Sequence, residues 1–274
     1  IKAVKKGYYD KIFNNVTINN GAMTILNFPM EKRPDAVLSG WVRSMGQPIP
    51  AKVILYSPIN DTLLINGDYM LNTYAGDNYR LEVSADGYFP YLGTINIAPG
   101  QNNLFIDLSP AVEVFAEDWE NGIGNWNITG PWVLENELSA SGYAITDSWG
   151  GRGSYNMNCD VNIATISPIQ LPSTDDLYLT FDQHLYTEWD FDPVTVELSP
   201  NGADWTTIWT DSGKKNYWHT KYVSLNEFAG QTVYLRFRLV DHSSDMEETD
   251  PGWTIDNIRI IKGFVTQNAE TVNV

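Results

Sequence analysis

The sequence predicts an all-β protein built from two β-sandwich modules. Short runs of apolar, β-branched and aromatic residues alternate with breaks of Gly, Pro, Asn and Asp. Their spacing, about 8–12 residues, is typical of sandwiches with short strands. No long stretch shows the 3.6-residue period of an amphipathic helix. The chain has 274 residues, of which 43% are apolar and 13% aromatic, so it can bury two cores.

The distribution of charge divides the chain. Residues 1–112 hold nine acidic and nine basic side chains, whereas residues 113–274 hold twenty-five acidic and eight basic ones and thus the whole net charge of −17. We therefore place a module boundary between residues 111 and 112. Strong acidity disfavours nucleic acid and anionic membranes as partners. It suits Ca²⁺, which prefers carboxylate and carbonyl oxygens, but it also simply keeps a secreted protein in solution.

The first residues of the chain repeat a later part of it. Three matches carry the repeat: Gly7-Tyr8 with Gly87-Tyr88, Ile18 with Ile97, and Gly21 with Gly100. A repeat of this kind indicates a modular protein. We interpret residues 1–35 as the C-terminal part of a preceding repeat, in a chain that is a fragment of a longer protein. Strands are expected at Ile1–Val4, Val16–Ile18 and Ile25–Met30.

Residues 36–111 are predicted to form the first complete sandwich. Its expected strands are Val37–Val42, Ala51–Tyr56, Tyr69–Leu71, Tyr79–Val83, Thr94–Ile97 and Leu104–Leu108. Its motifs are Leu38-Ser39-Gly40-Trp41-Val42, Gly46-Gln47-Pro48, Asn66-Gly67-Asp68-Tyr69, Gly76-Asp77-Asn78-Tyr79 and Gly87-Tyr88. In these motifs the segment resembles the carboxypeptidase regulatory-like family. The resemblance implies a prealbumin-like, seven-stranded β-sandwich that acts as a spacer or stabilising module without catalysis.

Residues 112–262 are predicted to form a β jelly roll. The clearest strand is Thr232–Leu239, in which Val233, Leu235, Phe237 and Leu239 share one face, as in a half-buried antiparallel strand. Other strands are expected at Val112–Ala116, Ala164–Ser167, Leu177–Phe181, Val194–Leu198, Thr206–Trp209, Lys221–Leu225 and Trp253–Ile260. About 150 residues of this kind suggest two sheets packed face to face.

A second resemblance rests on motifs in the same segment. They are Glu117-Asp118-Trp119-Glu120-Asn121-Gly122, Thr146-Asp147-Ser148, Tyr186-Thr187-Glu188-Trp189-Asp190, Leu225-Asn226-Glu227-Phe228 and Gly252-Trp253-Thr254-Ile255-Asp256-Asn257. They resemble the MAM-like, concanavalin-like jelly rolls of immune-inhibitor-A peptidases and bacillopeptidase F, and the cleaved-adhesin modules of gingipain-type proteins. The resemblance implies an accessory domain of a secreted or cell-surface bacterial protein, often with structural Ca²⁺. Residues 263–274 are expected to be a linker to a further module.

The sequence offers little for catalysis. The three histidines, His184, His219 and His242, lack the spacing of a zinc peptidase, and no Gly-x-Ser-x-Gly motif is present. Alternation would place Glu188, Asp190 and Asp192 on one strand face. Laminarinase-type glycoside hydrolases carry a similar Glu-x-Asp-x-Glu on a jelly-roll strand, so a glycoside hydrolase remains an alternative.

Carboxylates in the opening and closing motifs form the candidate metal site. Glu117, Asp118 and Glu120 belong to the first strand of the jelly roll and Asp256 to the last, and such strands are commonly neighbours. The resembling jelly rolls hold Ca²⁺ there, and we add Asp147 as a further candidate ligand. The alternative is that Glu120 and Asp256 pair with Arg259, Arg236 or backbone amides.

Tryptophan is concentrated in the jelly roll, which holds nine of the ten. Trp119, Trp126, Trp205 and Trp253 stand in the motifs and are expected in the core. The candidate ligand-binding tryptophans, expected in loops or at strand ends, are Trp132, Trp149, Trp189 and Trp218.

We therefore predict non-catalytic modules that engage an extracellular protein or a polysaccharide and contact neighbouring modules of the same chain. The alternative class is a carbohydrate-binding module. No run approaches the roughly 20 apolar residues of a membrane span, and neither nucleic acid nor a bilayer is expected as a partner.

Overall fold

The computed structural model describes residues 1–18, 20, 21, 23–56, 60–148, 155, 158–241, 251–263 and 269–273. These residues form β-strands and connecting turns, with a short 3-10 turn at Asn226–Phe228, so the all-β prediction is confirmed. The chain divides into two compact units, Ile1–Ala111 with Gly263–Val274, and Val112–Lys262. No helix in the described residues is long and apolar enough to cross a membrane.

The first unit contains eleven of the strands that the structure describes. They are β1 (Lys2–Ala3), β2 (Lys11–Ile12), β3 (Asp35–Ser44), β4 (Gln47–Pro48), β5 (Pro50–Tyr56), β6 (Asp61–Asn66), β7 (Asp68–Tyr74), β8 (Gly76–Ser84), β9 (Tyr91–Ile97), β10 (Gly100–Asp107) and β23 (Ala269–Asn273). The main sheet runs β23-β10-β3-β7-β6-β5-β8-β9, and β4 pairs with β3. Strand β6 was not expected from the sequence.

This sheet folds into a sandwich because its two halves are almost separate. Strands β6 and β7 pair only at Asn66 and Asp68, next to their turn. The core between the halves takes alternate residues from β3, β5, β8 and β10, as the two-residue side-chain period requires. Those exposed by 1% or less include Leu38, Val42, Val53, Leu55, Leu81, Val83, Leu104 and Ile106.

Residues 1–35 contain less β-structure than the sequence predicts. The structure has the two-residue strands β1 and β2 there, whereas Val16–Ile18 and Ile25–Met30 are described without strands. The physical reason is the lack of a partner surface, because strands need a packed apolar face. Ile18 is 74% exposed and Ile25 71% exposed.

One element of the repeat is nevertheless reproduced in the backbone. Gly7 and Gly87 both have positive φ, 78° and 79°. Three backbone hydrogen bonds also match between the two copies. In the first copy they are Tyr8 N to Lys5 O (3.1 Å), Tyr9 N to Glu31 O (3.0 Å) and Arg33 N to Gly7 O (2.8 Å). In the second copy they are, in the same order, Tyr88 N to Ala85 O (3.1 Å), Phe89 N to Ser109 O (2.9 Å) and Ala111 N to Gly87 O (2.9 Å). In each copy, the backbone around the Gly-Tyr pair is thus hydrogen-bonded to the segment that follows the last strand of the repeat.

The expected linker at 263–274 contains a strand. Within it, β23 pairs antiparallel with β10 from Asn102↔Asn273 to Ile106↔Ala269. The linker prediction was wrong for these residues because the far side of β10 is an edge that offers unpaired backbone groups. A short segment without a clear apolar period gives no sequence signal for such an addition.

The second unit is a two-sheet sandwich. Its strands are β11 (Val112–Glu117), β12 (Trp126–Thr129), β13 (Val133–Glu135), β14 (Ala144–Thr146), β15 (Asp160–Thr165), β16 (Ile169–Gln170), β17 (Leu177–Tyr186), β18 (Val194–Ser199), β19 (Thr206–Asp211), β20 (Lys214–Ser224), β21 (Thr232–Val240) and β22 (Gly252–Lys262). One sheet runs β13-β14-β22-β17-β20 with β11 on β22, and the other β12-β15-β21-β18-β19 with β16 on β21.

The core of this unit lies between the two sheets. The alternation predicted for Thr232–Leu239 is confirmed, since Val233, Leu235, Phe237 and Leu239 are each exposed by 1% or less. Aromatic rings fill the centre, where Trp253 lies 5.6 Å from Phe237 and 6.2 Å from Phe181 between ring centroids.

Candidate functional site

The opening and closing strands of the jelly roll are neighbours, as expected. Strand β11 pairs antiparallel with β22, from Val112↔Lys262 to Glu117↔Ile258. This brings the two motifs that contain the candidate metal ligands to one side of the unit. Glu117 itself is buried, and its carboxylate accepts hydrogen bonds from Trp119 N (3.0 Å) and Trp126 Nε1 (2.9 Å). It therefore fixes the opening turn and two core tryptophans.

Glu120 and Asp256 hold the same loop. Glu120 Oε1 accepts a hydrogen bond from Tyr143 N (2.6 Å), and Asp256 Oδ2 accepts from Ala140 N (3.1 Å) and Ser141 N (2.9 Å). These are the backbone-amide contacts named above as the alternative to a metal ion. Burial raises the pKa of Asp256 to about 6.

The other two candidate metal ligands lie apart from that loop contact. Asp118 Oδ1 accepts a hydrogen bond from Glu120 N (3.2 Å). Asp147 is fully buried at the end of β14, where Oδ1 accepts from Trp253 N (2.8 Å) and Oδ2 has no hydrogen-bond partner. Burial raises the pKa of Asp147 to about 7. Among the residues that the structure describes, no three His, Cys, Asp or Glu side chains form a group that could hold a metal ion.

The candidate binding tryptophans fall into different environments. Trp132 lies directly before β13, at a strand end as expected, but it is 3% exposed and packs on Trp253, with ring centroids 6.3 Å apart, so its ring is not presented to a ligand. A sequence cannot show that the loop folds back over the core. Trp149 lies outside the described residues. Trp189 is 64% exposed, and Trp218 is partly exposed, 6.0 Å from the ring of His184.

Three of the four tryptophans expected in the core are there. Trp119, Trp126 and Trp253 are exposed by 4% or less. Trp205 is partly exposed and instead carries the guanidinium of Arg236 over its ring, 4.1 Å from the centroid. It just precedes β19, an edge strand, where one side of the ring meets solvent.

The segment with Glu188, Asp190 and Asp192 is a turn, so the expected shared strand face was wrong. Strand β17 ends at Tyr186 and β18 begins at Val194. Asp190 has a positive φ of 65°, and Pro193 cannot donate a ladder hydrogen bond. Asp192 is fully buried and accepts a hydrogen bond from the Tyr155 hydroxyl (2.5 Å). Asp192 is thus turned into the protein and does not share a strand face with Glu188, as the retaining-glycosidase alternative requires.

The two described histidines are held in structural hydrogen bonds. His184 is 5% exposed, with Nε2 2.9 Å from Asn216 Oδ1. Gln183 Nε2 donates to His219 Nε2 (3.1 Å), and His219 Nδ1 donates to Tyr217 O (3.1 Å), which assigns a neutral ring. Burial, together with the positive charges of Lys221 and Lys215, lowers the pKa of His219 to about 4.

This lowered pKa predicts a pH-dependent stability. The unfolded chain binds a proton at His219 near the ordinary value of 6.5, whereas the folded chain resists protonation until about 4. The contribution of neutral His219 to the free energy of unfolding is therefore complete above pH 6.5 and is lost as the pH falls from 6.5 to 4. Denaturant unfolding of wild type and His219→Gln across this range should show a difference that shrinks with falling pH. A constant difference would contradict the assignment.

In the jelly-roll unit, the sheet that contains β17, β20 and β22 carries a group of polar and aromatic side chains on its outer face, and the sequence did not predict this group. Asp182 on β17 accepts hydrogen bonds from Thr220 Oγ1 on β20 (2.6 Å) and from Asn257 Nδ2 on β22 (3.0 Å). Trp218 and Tyr222 flank Thr220 at two-residue spacing and thus share its face. The outward alternation of β17 and β20 was a signal in the sequence, but the register that brings three strands together was not.

No protein-family model matches the chain, and no curated protein matches it. Its fold is similar to solved adhesin and carbohydrate-binding modules. The K1 cleaved adhesin domain of Lys-gingipain from Porphyromonas gingivalis has 21% identity and a TM-score of 0.41, over 55% of this chain and 98% of that one. A family 61 carbohydrate-binding module, solved with β-1,4-galactotriose, has 10% identity and a TM-score of 0.37, over 53% and 94%.

A carbohydrate-binding module of a lichenase from Cellvibrio mixtus, solved with cellotriose, has 14% identity and a TM-score of 0.35, over 56% of this chain and 100% of that one. At identities and TM-scores this low, the likeness carries no argument about ligand or activity. Functional conclusions for this chain therefore depend on its own residues.

Proposed function

We propose that this chain is a non-catalytic binding part of a secreted or cell-surface bacterial protein. The jelly-roll module (112–262) engages an extracellular polysaccharide or protein, and the sandwich of residues 36–111 acts as a spacer. The observation that carries the proposal is a set of exposed aromatic rings near the β19–β20 turn. Trp189 is 64% exposed, Phe191 58% and Tyr217 59%.

Large exposed rings favour a binding role because aromatic side chains supply contact area with little loss of conformational entropy. Trp189 packs over Gly213 in the β19–β20 turn, where a Cβ would overlap its ring. Tyr217 follows in β20, and its ring centroid lies 5.0 Å from that of His219. The rings of Trp189 and Tyr217 thus lie near the turn that joins β19 of one sheet to β20 of the other.

The surroundings of the candidate catalytic groups support a non-catalytic role. Asp192 is bound to Tyr155, His184 lies against Asn216, and His219 is held neutral between Gln183 and a backbone carbonyl. These contacts use the atoms that an acid, base or nucleophile would present to substrate. We expect no cleavage of peptide or β-glucan substrates, and turnover that is lost in Glu188→Gln would overturn this part of the proposal.

The binding role is tested on glycan arrays and on immobilised extracellular-matrix proteins. The chain should be retained by at least one surface, and the double variant Trp189→Ala, Tyr217→Ala should lose most of that retention. Trp205→Ala is the matched control, because Trp205 precedes β19 and packs on Arg236 of β21, in the sheet that does not contain β20. Retention that is unchanged in the double variant, or absent for wild type on every surface, would contradict the proposal.

Structural Ca²⁺ belongs to this proposal through Glu120 and Asp256, with Glu117 or Asp118, and with Asp147 as a separate candidate. Its support is the surplus of twenty-five acidic over eight basic side chains in residues 113–274. The described side chains supply few of the about six to eight oxygens that Ca²⁺ takes. Backbone amides already donate to Glu120 and to Asp256.

Removing Ca²⁺ with a chelator distinguishes a metal site at these carboxylates from carboxylates that only accept hydrogen bonds from backbone amides. If Ca²⁺ binds the folded state, it stabilises it by about 2.7 kcal/mol at one hundred times its dissociation constant. A calorimetric scan with chelator should then show a lower melting temperature for wild type, and Asp256→Asn should lose most of the difference. An unchanged melting temperature, with no metal by elemental analysis, would leave the backbone amides as the partners of these acids.

A further inference from the structure

Five side chains form a continuous strip across three strands of the jelly roll: Trp218, Thr220 and Tyr222 on β20, Asp182 on β17 and Asn257 on β22. We propose that this strip is a binding site for a neutral, hydroxyl-rich saccharide chain. The inference rests on the proposed binding function, names one ligand class for it and extends its surface from the exposed rings near the β19–β20 turn along β20.

The two rings of the strip are positioned to hold successive parts of a chain. Trp218 and Tyr222 are four residues apart on the same face of β20, about 13 Å at 3.3–3.4 Å per residue. An oligosaccharide of a few rings covers that span. Both side chains are partly exposed and belong to the eleven-residue strand β20. Tyr222 is paired with Thr180 of β17, whereas Trp218 lies where the register of β20 shifts, between His219 and Lys215. The ring of Trp218 is placed by its contact with His184 of β17, whose ring centroid lies 6.0 Å away.

Between the rings, the carboxylate of Asp182 is held in one orientation. Thr220 Oγ1 donates to Oδ1 (2.6 Å) and Asn257 Nδ2 donates to Oδ2 (3.0 Å). An ionised carboxylate has about four acceptor positions, so two bonds leave capacity for the hydroxyl groups of a sugar. The two donors also prevent the carboxylate from rotating away from a ligand on the strip.

The backbone around the strip is irregular in a way that serves this geometry. The pairing of β17 with β22 shifts register between Thr180 and Asp182. Asn257 adopts a positive φ of 50°, a conformation that Asn tolerates better than most residues. Its backbone N donates to Asp256 Oδ1 (2.7 Å), while its side chain reaches Asp182. Bulges commonly redirect side chains in this way next to binding sites.

The charge of the strip selects a neutral ligand. Asp182 lies close enough to Asp256 for their negative charges to interact. Arg259, which lies on the same face, is paired with Glu113 (3.3 Å). Hydroxyl donors are therefore favoured, whereas uronate or sulfate groups meet the field of an acidic module and are repelled. The rings provide the apolar surface against which the face of a sugar packs.

The test is affinity electrophoresis of the full chain through gels that contain xylan, β-1,4-galactan, mixed-linkage β-glucan or polygalacturonate. Wild type should be retarded by at least one neutral polysaccharide and not by polygalacturonate. Trp218→Ala and Tyr222→Ala should each weaken that retardation about tenfold or more. Asp182→Asn should also weaken it, because one charged acceptor is lost while the shape of the side chain is kept.

Trp205→Ala is the matched control, since it removes a tryptophan outside both the strip and the exposed rings near the β19–β20 turn, and it should bind like wild type in these gels. Melting temperatures within the wild-type range show that the strip variants are folded, and Trp218→Phe, which keeps a ring, should retain part of the retardation. Equal retardation of wild type, Trp218→Ala and Tyr222→Ala would show that the strip is not the saccharide site, and would leave the proposed binding function in place. Retardation by polygalacturonate alone, or by no polysaccharide, would also overturn it, and protein binding on the arrays would then still support the broader proposal.

Discussion

Replacing Trp253 with alanine should destabilise the jelly-roll module by about 3–5 kcal/mol, the range for removing a large aromatic side chain from a core. Trp253 is fully buried and touches four other aromatic rings, those of Trp132, Phe181, Trp209 and Phe237. The loss is a large part of the about 5–15 kcal/mol that stabilises a typical domain. Denaturant unfolding monitored by circular dichroism should show an earlier transition.

A second variant separates packing from hydrogen bonding at this position. Trp253 Nε1 donates to Gln183 Oε1 (2.7 Å), and Gln183 is also fully buried. Trp253→Phe keeps a ring but leaves that amide oxygen without its donor, so a smaller loss of about 1–3 kcal/mol is expected. Trp189→Ala is the control, because a residue exposed by 64% should change stability by about 0.5 kcal/mol or less. Equal losses for the buried and exposed tryptophans would contradict this account of the core.

Replacing Gly40 with valine should disrupt the first unit. Gly40 lies in β3 opposite Leu104 of the parallel strand β10, and a Cβ at this position would overlap the carbonyl oxygen of Leu104. The obstacle is backbone, which cannot rotate away, so the strands must separate. Overpacking typically costs about 1–3 kcal/mol and occasionally more, and this site belongs at the upper end.

Hydrogen exchange localises the effect of this substitution. Amides of β3 and β10 should exchange faster in Gly40→Val, and also, to a smaller extent, in Gly40→Ala. Gly124→Ala is the control, because a Cβ there meets no atom within 4 Å and the residue has no positive φ. Unchanged exchange along β3 and β10 would mean that the two strands are not packed as closely as described.

Local patterns in the sequence were sufficient for the class of fold and for the main strands. The alternation of Val233, Leu235, Phe237 and Leu239 marks one buried face without any knowledge of the partner strand. A turn signal was also present in the segment with Glu188, Asp190 and Asp192, which was predicted to be a strand. Pro193 follows Asp192 directly and cannot donate a ladder hydrogen bond, so it separates the segment with Glu188 and Asp192 from the strand that begins at Val194.

The remainder depends on contacts between residues far apart in the chain. The strip joins Asp182, Thr220 and Asn257, which only the register of β20, β17 and β22 brings together. Burial of Trp132 and addition of β23 to β10 likewise depend on which surface is left uncovered when the rest has folded. Composition and periodicity contain no information on these distances.

From the parallel pairing of β3 with β10, we expect the first unit to resist mechanical force. The chain enters the sandwich at the start of β3, near Asp35, and leaves it at the end of β10, near Asp107, so the two points lie at opposite ends of one ladder. A pull on the chain at these points loads all eight paired positions from Gly100↔Ala36 to Asp107↔Arg43 in shear. The hydrogen bonds of such a ladder must break together, not one after another. This geometry would suit the spacer role proposed for the sandwich, because a spacer transmits tension between a surface and a bound ligand.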